Sequence, residues 1–521
     1  MVLLKNMNPL TKFSLGFFIF GSLIILAASL MLTGGTFIYS MDDPYIHLAV
    51  SEEILRGNYG INTTEKSSPS SSILYAYLLV PFVWAGLGNY AQLILSLIFQ
   101  GVTLAVVANF VFGYVSKNLT SNLTLWYGLL GAALVMALNS LALPMTGMEH
   151  SLHVMLSVLI VRGLYKAERG EVASLWMVAL ITLNVLTRFE GLALSLASIV
   201  ALWILGQRRI ALVSLMVLVT ALVAYGVFMT SMGLPLLPSS VMIKSAVSSS
   251  VYDSKLLEAA IRLARNVTEN LTKILNVVLL ALSAFMLWCC RKRINKCRAT
   301  VLAVVFSIIG HIVLGSDGSM YRYEIYLIAI AIIALTLCFK GLKRADGNLQ
   351  NVRVFALLLM TLGVVFLQST ILTPKGSQNI HDQQYQMHRF ATEYFPEKVA
   401  VNDLGWVSYR NDTYVLDVYG LGSEQARKLH STDGITQKNM ATLVDDNGIV
   451  YAIIYDDVYE GAVPENWCRI AQLDTIMVTA AYGEVAFYLI DRSKEHQMRV
   501  ALERFAATLP RQATMTTAPC T

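Results

Sequence analysis

A polytopic α-helical membrane protein carrying a small soluble α/β domain at its C-terminal end is the fold class this sequence predicts, on three observations. Of its 521 residues, 55% are hydrophobic and only 14% are charged, whereas a soluble domain usually carries about 25% charged residues. Its mean hydropathy is +0.58. Apolar runs recur as far as Leu372 at lengths that suit about eleven spans of roughly 20 residues, and beyond that point polar residues become common. The net charge of +5 is clumped rather than spread, so it reports orientation more than partners, and nucleic acid is not implied. The six cysteines fall at Cys289, Cys290 and Cys297 beside a basic cluster, at Cys338 in an apolar run, and at Cys468 and Cys520 near the C-terminus. None has metal-ligand spacing.

The predicted spans are Phe13 to Thr33, Tyr90 to Val115, Leu123 to Leu143, Ser151 to Tyr165, Ser174 to Thr187, Phe189 to Leu205, Ile210 to Thr230, Leu271 to Cys290, Thr300 to Leu314, Tyr323 to Phe339 and Val354 to Leu372. The first is read as an uncleaved span, because it is longer than a signal core and no small-residue cleavage site follows. Basic residues gather at Lys5 and Lys12, at Arg162, Lys166 and Arg169, at Arg208 and Arg209, from Arg291 to Arg298 and from Lys340 to Arg353. The positive-inside rule makes those loops and the N-terminus cytoplasmic. Parity then requires that the apolar stretch Ile73 to Leu87, opened by the turn Ser67 to Ser72, lie along the outer surface as an interfacial helix.

Residues 1–373 form the expected membrane module and 374–521 the outer domain. Pro374 to Ser377 reads as a linker and Gln383 to Phe395 as a helix. Lys398 to Val401, Tyr414 to Val418, Ile449 to Tyr455 and Val485 to Ile490 read as short strands. Helices alternating with strands indicate an α/β or α+β domain. The tail from Arg511 to Thr521 reads as disordered.

Charged side chains at mid-depth in a bilayer cost about 2.5 to 3.5 kcal/mol even on the lenient scale, and here they are placed instead at outward ends of spans: Asp42 and Asp43, Glu149 and His150, Arg188 and Glu190, Lys244, and Asp317 and Arg322. That distribution describes an outward-facing site at the membrane surface, whereas a transporter more often needs polar groups at the midplane with repeat symmetry. In Met41-Asp-Asp-Pro-Tyr-Ile-His47, Pro44 suits the first position of a helix that runs through Arg56 and ends at Gly57. Asp43 is then its N-cap and Asp42 the freer carboxylate, the first choice for a general base. The plainer alternative has both aspartates merely starting a helix beside lipid headgroups. Tyr45 is placed to meet substrate; His47, one turn beyond Asp43, suits a hydrogen-bonding role on the helix face better than a second catalytic role. Glu149, Arg188 and Glu190 suit either substrate binding or local capping and pairing. Lys244, in a proline-set loop, and Arg322 suit a phosphate clamp, or snorkelling to lipid phosphate.

Taken in order, Asp42-Asp43, the helix ending Leu55-Arg-Gly-Asn58, the turn Ser67-Ser-Pro-Ser-Ser-Ser72, Thr146-Gly-Met-Glu149, Thr187-Arg-Phe-Glu-Gly191, the Pro238 to Lys244 loop and Arg322-Tyr323 resemble the GT-C superfamily of polyprenyl-phosphate-dependent glycosyltransferases. Within it, the pattern is most similar to the mycobacterial-type terminal arabinofuranosyltransferases, from which it departs at Phe189-Glu190 and at Pro238-Ser-Ser. The resemblance implies a GT-C fold with juxtamembrane helices in the first outer loop and an outer C-terminal domain, in a bacterial inner membrane with the active site periplasmic. It implies transfer of a sugar, arabinofuranose by the branch, from a polyprenyl-phosphate donor to a glycan or glycoprotein acceptor. Asp42 and Asp43 would be catalytic, Lys244 and Arg322 would bind the donor phosphate, and Tyr45, His47, Glu149, Arg188 and Glu190 would bind substrate. A lipid phosphate is already a good leaving group, so the chemistry demands no cofactor, although Asp42 and Asp43 leave room for a divalent cation. Two other classes fit the same outward polar residues: a flippase for lipid-linked sugars, and a glycan ligase or polymerase.

Overall fold

The computed structural model describes residues 7–119, 122–240, 242, 255–292, 298–315, 318–342, 349–432 and 434–520; Lys5, Lys244, Cys297 and Asp317 lie outside them. In chain order its first helices are α1 (Pro9–Leu32), α2 (Asp43–Leu55), α3 (Tyr75–Trp84), α4 (Gly88–Val115), α5 (Leu123–Ala137), α6 (His150–Glu168), α7 (Leu175–Thr187), α8 (Gly191–Ile204), α9 (Arg208–Ser231), α10 (Lys255–Leu271), α11 (Ile274–Arg291), α12 (Arg298–Leu314), α13 (Ile325–Gly341) and α14 (Leu349–Asp382). Every apolar run of the sequence is therefore helical. Five helical segments, α1, α4, α9, α11 and the one that begins with α14, are long and apolar enough to cross a membrane. The helices α5, α7, α8, α12 and α13 are apolar but shorter. With ten residues, α3 is too short to span a bilayer.

The chain divides into two compact units, one of residues 1–26, 93–223 and 252–371, the other of residues 27–92, 224–251 and 372–521. In the first unit α13 is apolar on every face and buried from Ile325 to Cys338, the signature of a helix enclosed by others. The helix α10 was not among the expected spans. Its apolar residues alternate with Glu258, Arg262, Arg265 and Glu269, so no long apolar window marks it, and only the helical period does. Its Asn266 and Asn270 side chains donate to the carbonyls of Ile312, Val313 and Gly315 at 2.8–3.1 Å, and so supply partners for the orphan carbonyls at the end of α12.

In the second unit α2 packs on α3, with Ser51 Oγ donating to the Ala76 carbonyl at 2.8 Å. A six-stranded mixed sheet follows, in the order β2-β1-β3-β5-β4-β6, from β1 (Val399–Val401), β2 (Val415–Asp417), β3 (Tyr451–Ile454), β4 (Cys468–Asp474), β5 (Glu484–Leu489) and β6 (Thr514–Thr517). Strands β2, β1 and β3 are parallel, with Val399 opposite both Val415 and Tyr451. All three are buried throughout, as parallel strands covered on both faces must be. The chain leaves β1 toward β2 and leaves β3 toward the other edge, so the carboxyl ends of β1 and β3 flank a topological switch point, the usual ligand crevice of such sheets.

The four strands expected from sequence are present; β4 and β6 were not expected, and two expectations are corrected. Pro374 to Ser377 is not a linker but part of α14. Ser377 is buried while Lys375 is exposed, and one turn on Asn379 accepts from the amides of Val478, Thr479 and Ala480 at 2.9 Å each. A Cβ at Gly376 would lie 3.0 Å from Thr479 Cγ2, tighter than an ordinary contact. The tail from Arg511 is not disordered: β6 pairs antiparallel with β4, and Cys520 forms a disulfide with Cys468. The covalent bond and cross-strand pairing order a segment whose threonine-rich composition carries no core pattern. Replacing Cys520 with serine should cost about 2–4 kcal/mol. Faster amide exchange confined to residues 513–519 would show it, and unchanged exchange there would show that β6 is held by its ladder alone.

Candidate functional site

The sequence-predicted site residues fall into two constellations, one in each unit. In the second, the helix start lies one residue earlier than expected: Asp42, not Asp43, is the N-cap, and Asp43 is the first helical residue. The Asp42 carbonyl accepts from the Tyr45 amide at 3.0 Å, while its side chain makes no capping bond. Instead its carboxylate is taken up by the loop after β1. Oδ2 accepts from the Gly405 amide at 2.7 Å and Oδ1 from the Trp406 amide at 2.8 Å. A Cβ on residue 405 would come within 2.3 Å of Asp42 Oδ2, so only glycine admits this carboxylate. Asp42 is thus buried, at 6% exposure, rather than the freer of the pair; Asp43 is half-buried.

The Asp42 carboxyl neighbours that of Asp403, whose charge acts on it. Asp403 Oδ2 accepts from Gln384 Nε2 at 2.8 Å and from the Tyr455 hydroxyl at 3.0 Å. Asp403 follows β1 and Tyr455 follows β3, so the carboxyl pair occupies the switch-point crevice. Burial is the first cause that raises both acids above the usual carboxylate range, and the Asp403 charge adds to the rise at Asp42. Two neighbouring buried carboxyls cannot both ionise cheaply.

Tyr45 is buried, its hydroxyl accepting from the Tyr39 amide at 3.1 Å and its ring 4.0 Å from that of Trp406. His47 Nδ1 is 3.0 Å from Ser70 Oγ, so it ties α2 to the serine-rich turn. That turn also meets the proline-set loop: Ser68 accepts from the Ser239 amide at its carbonyl and hydroxyl, each at 3.1 Å. Two motifs far apart in sequence are adjacent here. Lys244, further along that loop, is outside the described residues.

In the first unit Glu149, Arg188 and Glu190 come together. Arg188 Nη1 donates to Glu149 at 2.6 Å, and Nε and Nη2 form a fork to Glu190 at 3.1 and 2.5 Å. The sequence places this arginine correctly because α7 ends at Thr187 and Arg188 is extended, with ψ 136°. Asn184 then donates to the Gly191 carbonyl at 3.2 Å. The Arg188 guanidinium lies 4.3 Å from the Tyr323 ring centre and that of Arg322 lies 5.3 Å from it. Met320 and Tyr321, just before Arg322, both adopt left-handed φ, 59° and 56°. Asn139 Nδ2 holds the Met320 carbonyl at 3.0 Å. Backbone strain of this kind gathers at sites that something else over-determines.

Sequence reasoning missed Asp403, Gly405, Trp406, Gln384 and Tyr455, although an Asp-x-Gly just after a predicted strand was a usable signal for a residue at a carboxyl edge. It also assigned no role to His153, His311 or Tyr326, which pack together with His311 Nδ1 3.3 Å from the Tyr326 hydroxyl. Among the described residues no group of three or more His, Cys, Asp or Glu is disposed to hold a metal ion.

A family described as a domain of unknown function, DUF8728, matches residues 378–488. No curated protein matches the chain. Among solved structures the chain is similar to ArnT from Cupriavidus metallidurans in the apo state, with TM-score 0.49 and 12% identity, covering 91% of this chain and 98% of that one. It is also similar to the Archaeoglobus fulgidus oligosaccharyltransferase in complex with Zn and sulfate, with TM-score 0.46 and 11% identity, covering 90% and 73%. The archaeal oligosaccharyltransferase AglB from the same organism, in complex with an inhibitory peptide and a dolichol-phosphate, gives TM-score 0.41 and 11% identity, covering 95% and 75%.

Removing Arg188 would strand the buried Glu149 carboxylate and leave the partly buried Glu190 without its partner, so Arg188→Ala should destabilise the protein by about 3–5 kcal/mol. Arg188→Lys, a point charge without the fork, should recover less than half of that; thermal unfolding in detergent measures both. Asp417 supplies a pH dependence. It is buried at the end of β2, and burial pushes its carboxyl up to about 6 despite bonds from the Tyr419 and Gly422 amides. An acid raised on folding stabilises below its unfolded value and loses that contribution as pH climbs through its folded one. Opening of the β2 loop, read by hydrogen exchange corrected for intrinsic rates, should therefore become easier by roughly 2–3 kcal/mol between pH 4 and 7, and Asp417→Asn should flatten that slope.

Proposed function

We propose that this chain is a membrane glycosyltransferase of the GT-C type, which moves a sugar from a polyprenyl-phosphate donor to a hydroxyl of a glycan or glycoprotein acceptor on the outer face of the membrane. The observation that carries this reading is the division between the two aspartates. Asp42 has both oxygens engaged by backbone amides, and the adjacent Asp43 is half-buried. A base needs access to a proton and a fixed position, and the two residues divide those needs. The general base, first assigned to Asp42, accordingly passes to Asp43, with Asp42 as its positioning residue.

In this mechanism Asp43 takes the acceptor hydroxyl proton as that oxygen bonds to the anomeric carbon, a contribution of roughly 100- to 10,000-fold. The bond from the anomeric carbon to the phosphate oxygen breaks, and polyprenyl phosphate leaves with the electron pair. Lys244 and Arg322 meet the charge that develops on it. A Cys468–Cys520 disulfide in the C-terminal domain accords with an oxidising compartment such as the periplasm, and the basic loops accord with a cytoplasmic opposite face. Arabinofuranose is the sugar that the motif pattern favours.

The test is turnover of a radiolabelled polyprenyl-phosphate sugar by the purified protein in liposomes. Wild type should release polyprenyl phosphate, and Asp43→Asn should lower the rate at least 100-fold while leaving donor binding intact. A normal rate in Asp43→Asn removes the base, and relocation of intact donor across the bilayer by wild type would replace transfer with flipping. Loss of arabinose from the surface glycans of a deletion strain would identify the sugar.

A further inference from the structure

The first unit holds a histidine whose surroundings lack something. His150 opens α6 at 1% exposure, and among the described residues neither ring nitrogen has a hydrogen-bond partner. Its ring stacks on Tyr323 at 5.2 Å between centres and 13° between planes. The same tyrosine ring receives the guanidiniums of Arg188 and Arg322. An imidazole always presents at least one N–H donor, and a buried donor without an acceptor is costly to keep. Protein side chains do not complete this site; a ligand can.

The neighbours define that ligand. It must bring an acceptor to His150 and be tolerated beside two guanidiniums, one of which, Arg188, already serves Glu149 and Glu190. An anionic oxygen meets both demands, and a phosphate monoester offers several on one centre. His153, one turn along α6, has an unpartnered Nε2 among the described residues as well, but its ring packs on Tyr326 at 4.4 Å, whereas that of His150 packs on the Tyr323 ring shared by both guanidiniums.

We propose that His150 hydrogen-bonds an oxygen of a lipid-borne phosphate monoester, beside Arg322, and so holds the donor's phosphate. This rests on the transferase reading above, in which such a phosphate is the leaving group. His150 thereby becomes a substrate-contacting residue that the motif pattern does not assign.

The experiment measures binding of farnesyl phosphate, farnesol and inorganic phosphate to the full-length protein in detergent by calorimetry. Farnesyl phosphate should bind wild type, and farnesol and inorganic phosphate far more weakly. His150→Ala should weaken farnesyl phosphate binding about tenfold or more. His150→Gln, which keeps a neutral donor and acceptor, and His153→Ala should stay within about threefold. Unchanged binding in a folded His150→Ala overturns the assignment while leaving the transferase reading standing; wild type that binds farnesol as well as farnesyl phosphate overturns both. Inorganic phosphate that competes on equal terms overturns the lipid-borne source. Should His150→Ala not fold, the imidazole ¹⁵N signal of wild type that His150→Gln removes decides the matter: a shift on adding farnesyl phosphate supports the contact, and no shift overturns it.

Discussion

One carboxylate organises the second unit. Asp42 sits where α2 begins, yet both its oxygens are spent on amides that belong to the loop after β1, more than 300 residues later in the chain. Backbone amides at the start of a helix carry partial positive charge, and a sheet switch point leaves a crevice at its carboxyl edge. In this protein the occupant of that crevice is a side chain of the protein itself. Everything nearby is arranged around that fact: a glycine where any Cβ would collide, Asp403 beside the Asp42 carboxyl, Gln384 and Tyr455 to fix Asp403 in turn, and Trp406 packed against Tyr45. The position of Asp43, one residue on, follows from this anchor and from the geometry of α2.

The first unit solves a different problem. Arg188 is 5% exposed and its partner Glu149 is fully buried, in a helical bundle whose other contacts are almost wholly apolar. Two carboxylates hold one guanidinium in a fixed plane through three of its five N–H donors. Such an arrangement resembles a framework more than a binding group. What it leaves behind is a shaped and polarised surface, the Tyr323 ring, against which Arg322 and His150 are set. Rigid charge placed beforehand is worth more in a water-poor site than charge that must move there.

Both constellations bear on how the candidate site was read. The outward ends of helices were legible because charged residues are scarce in this chain and are costly in lipid, so each departure from the apolar background stood out. Arg188 with Glu190 was legible as a pair through proximity alone. The helices of the membrane part were legible through length and hydropathy, and β1, β2, β3 and β5 through short β-branched and aromatic runs between turn residues. Less legible were β4, whose pattern is mixed, β6, which is polar, and α10, which is amphipathic. Pro374 to Ser377 reads as a linker because polarity suggests solvation, whereas Pro374, Gly376 and Ser377 are buried and only Lys375 is exposed.

The sequence by itself determined a helical membrane protein with a sheet-bearing C-terminal domain, and the chain positions at which charge is concentrated, because hydropathy and periodicity act locally and survive without knowledge of contacts. Which aspartate the loop after β1 takes up, which carboxyl neighbours Asp42, and which histidine lacks a hydrogen-bond partner among the described residues were decided only by tertiary structure. Those properties are created by groups hundreds of residues apart, and a hydrogen bond or a desolvated charge has no trace in the chain until its partner arrives.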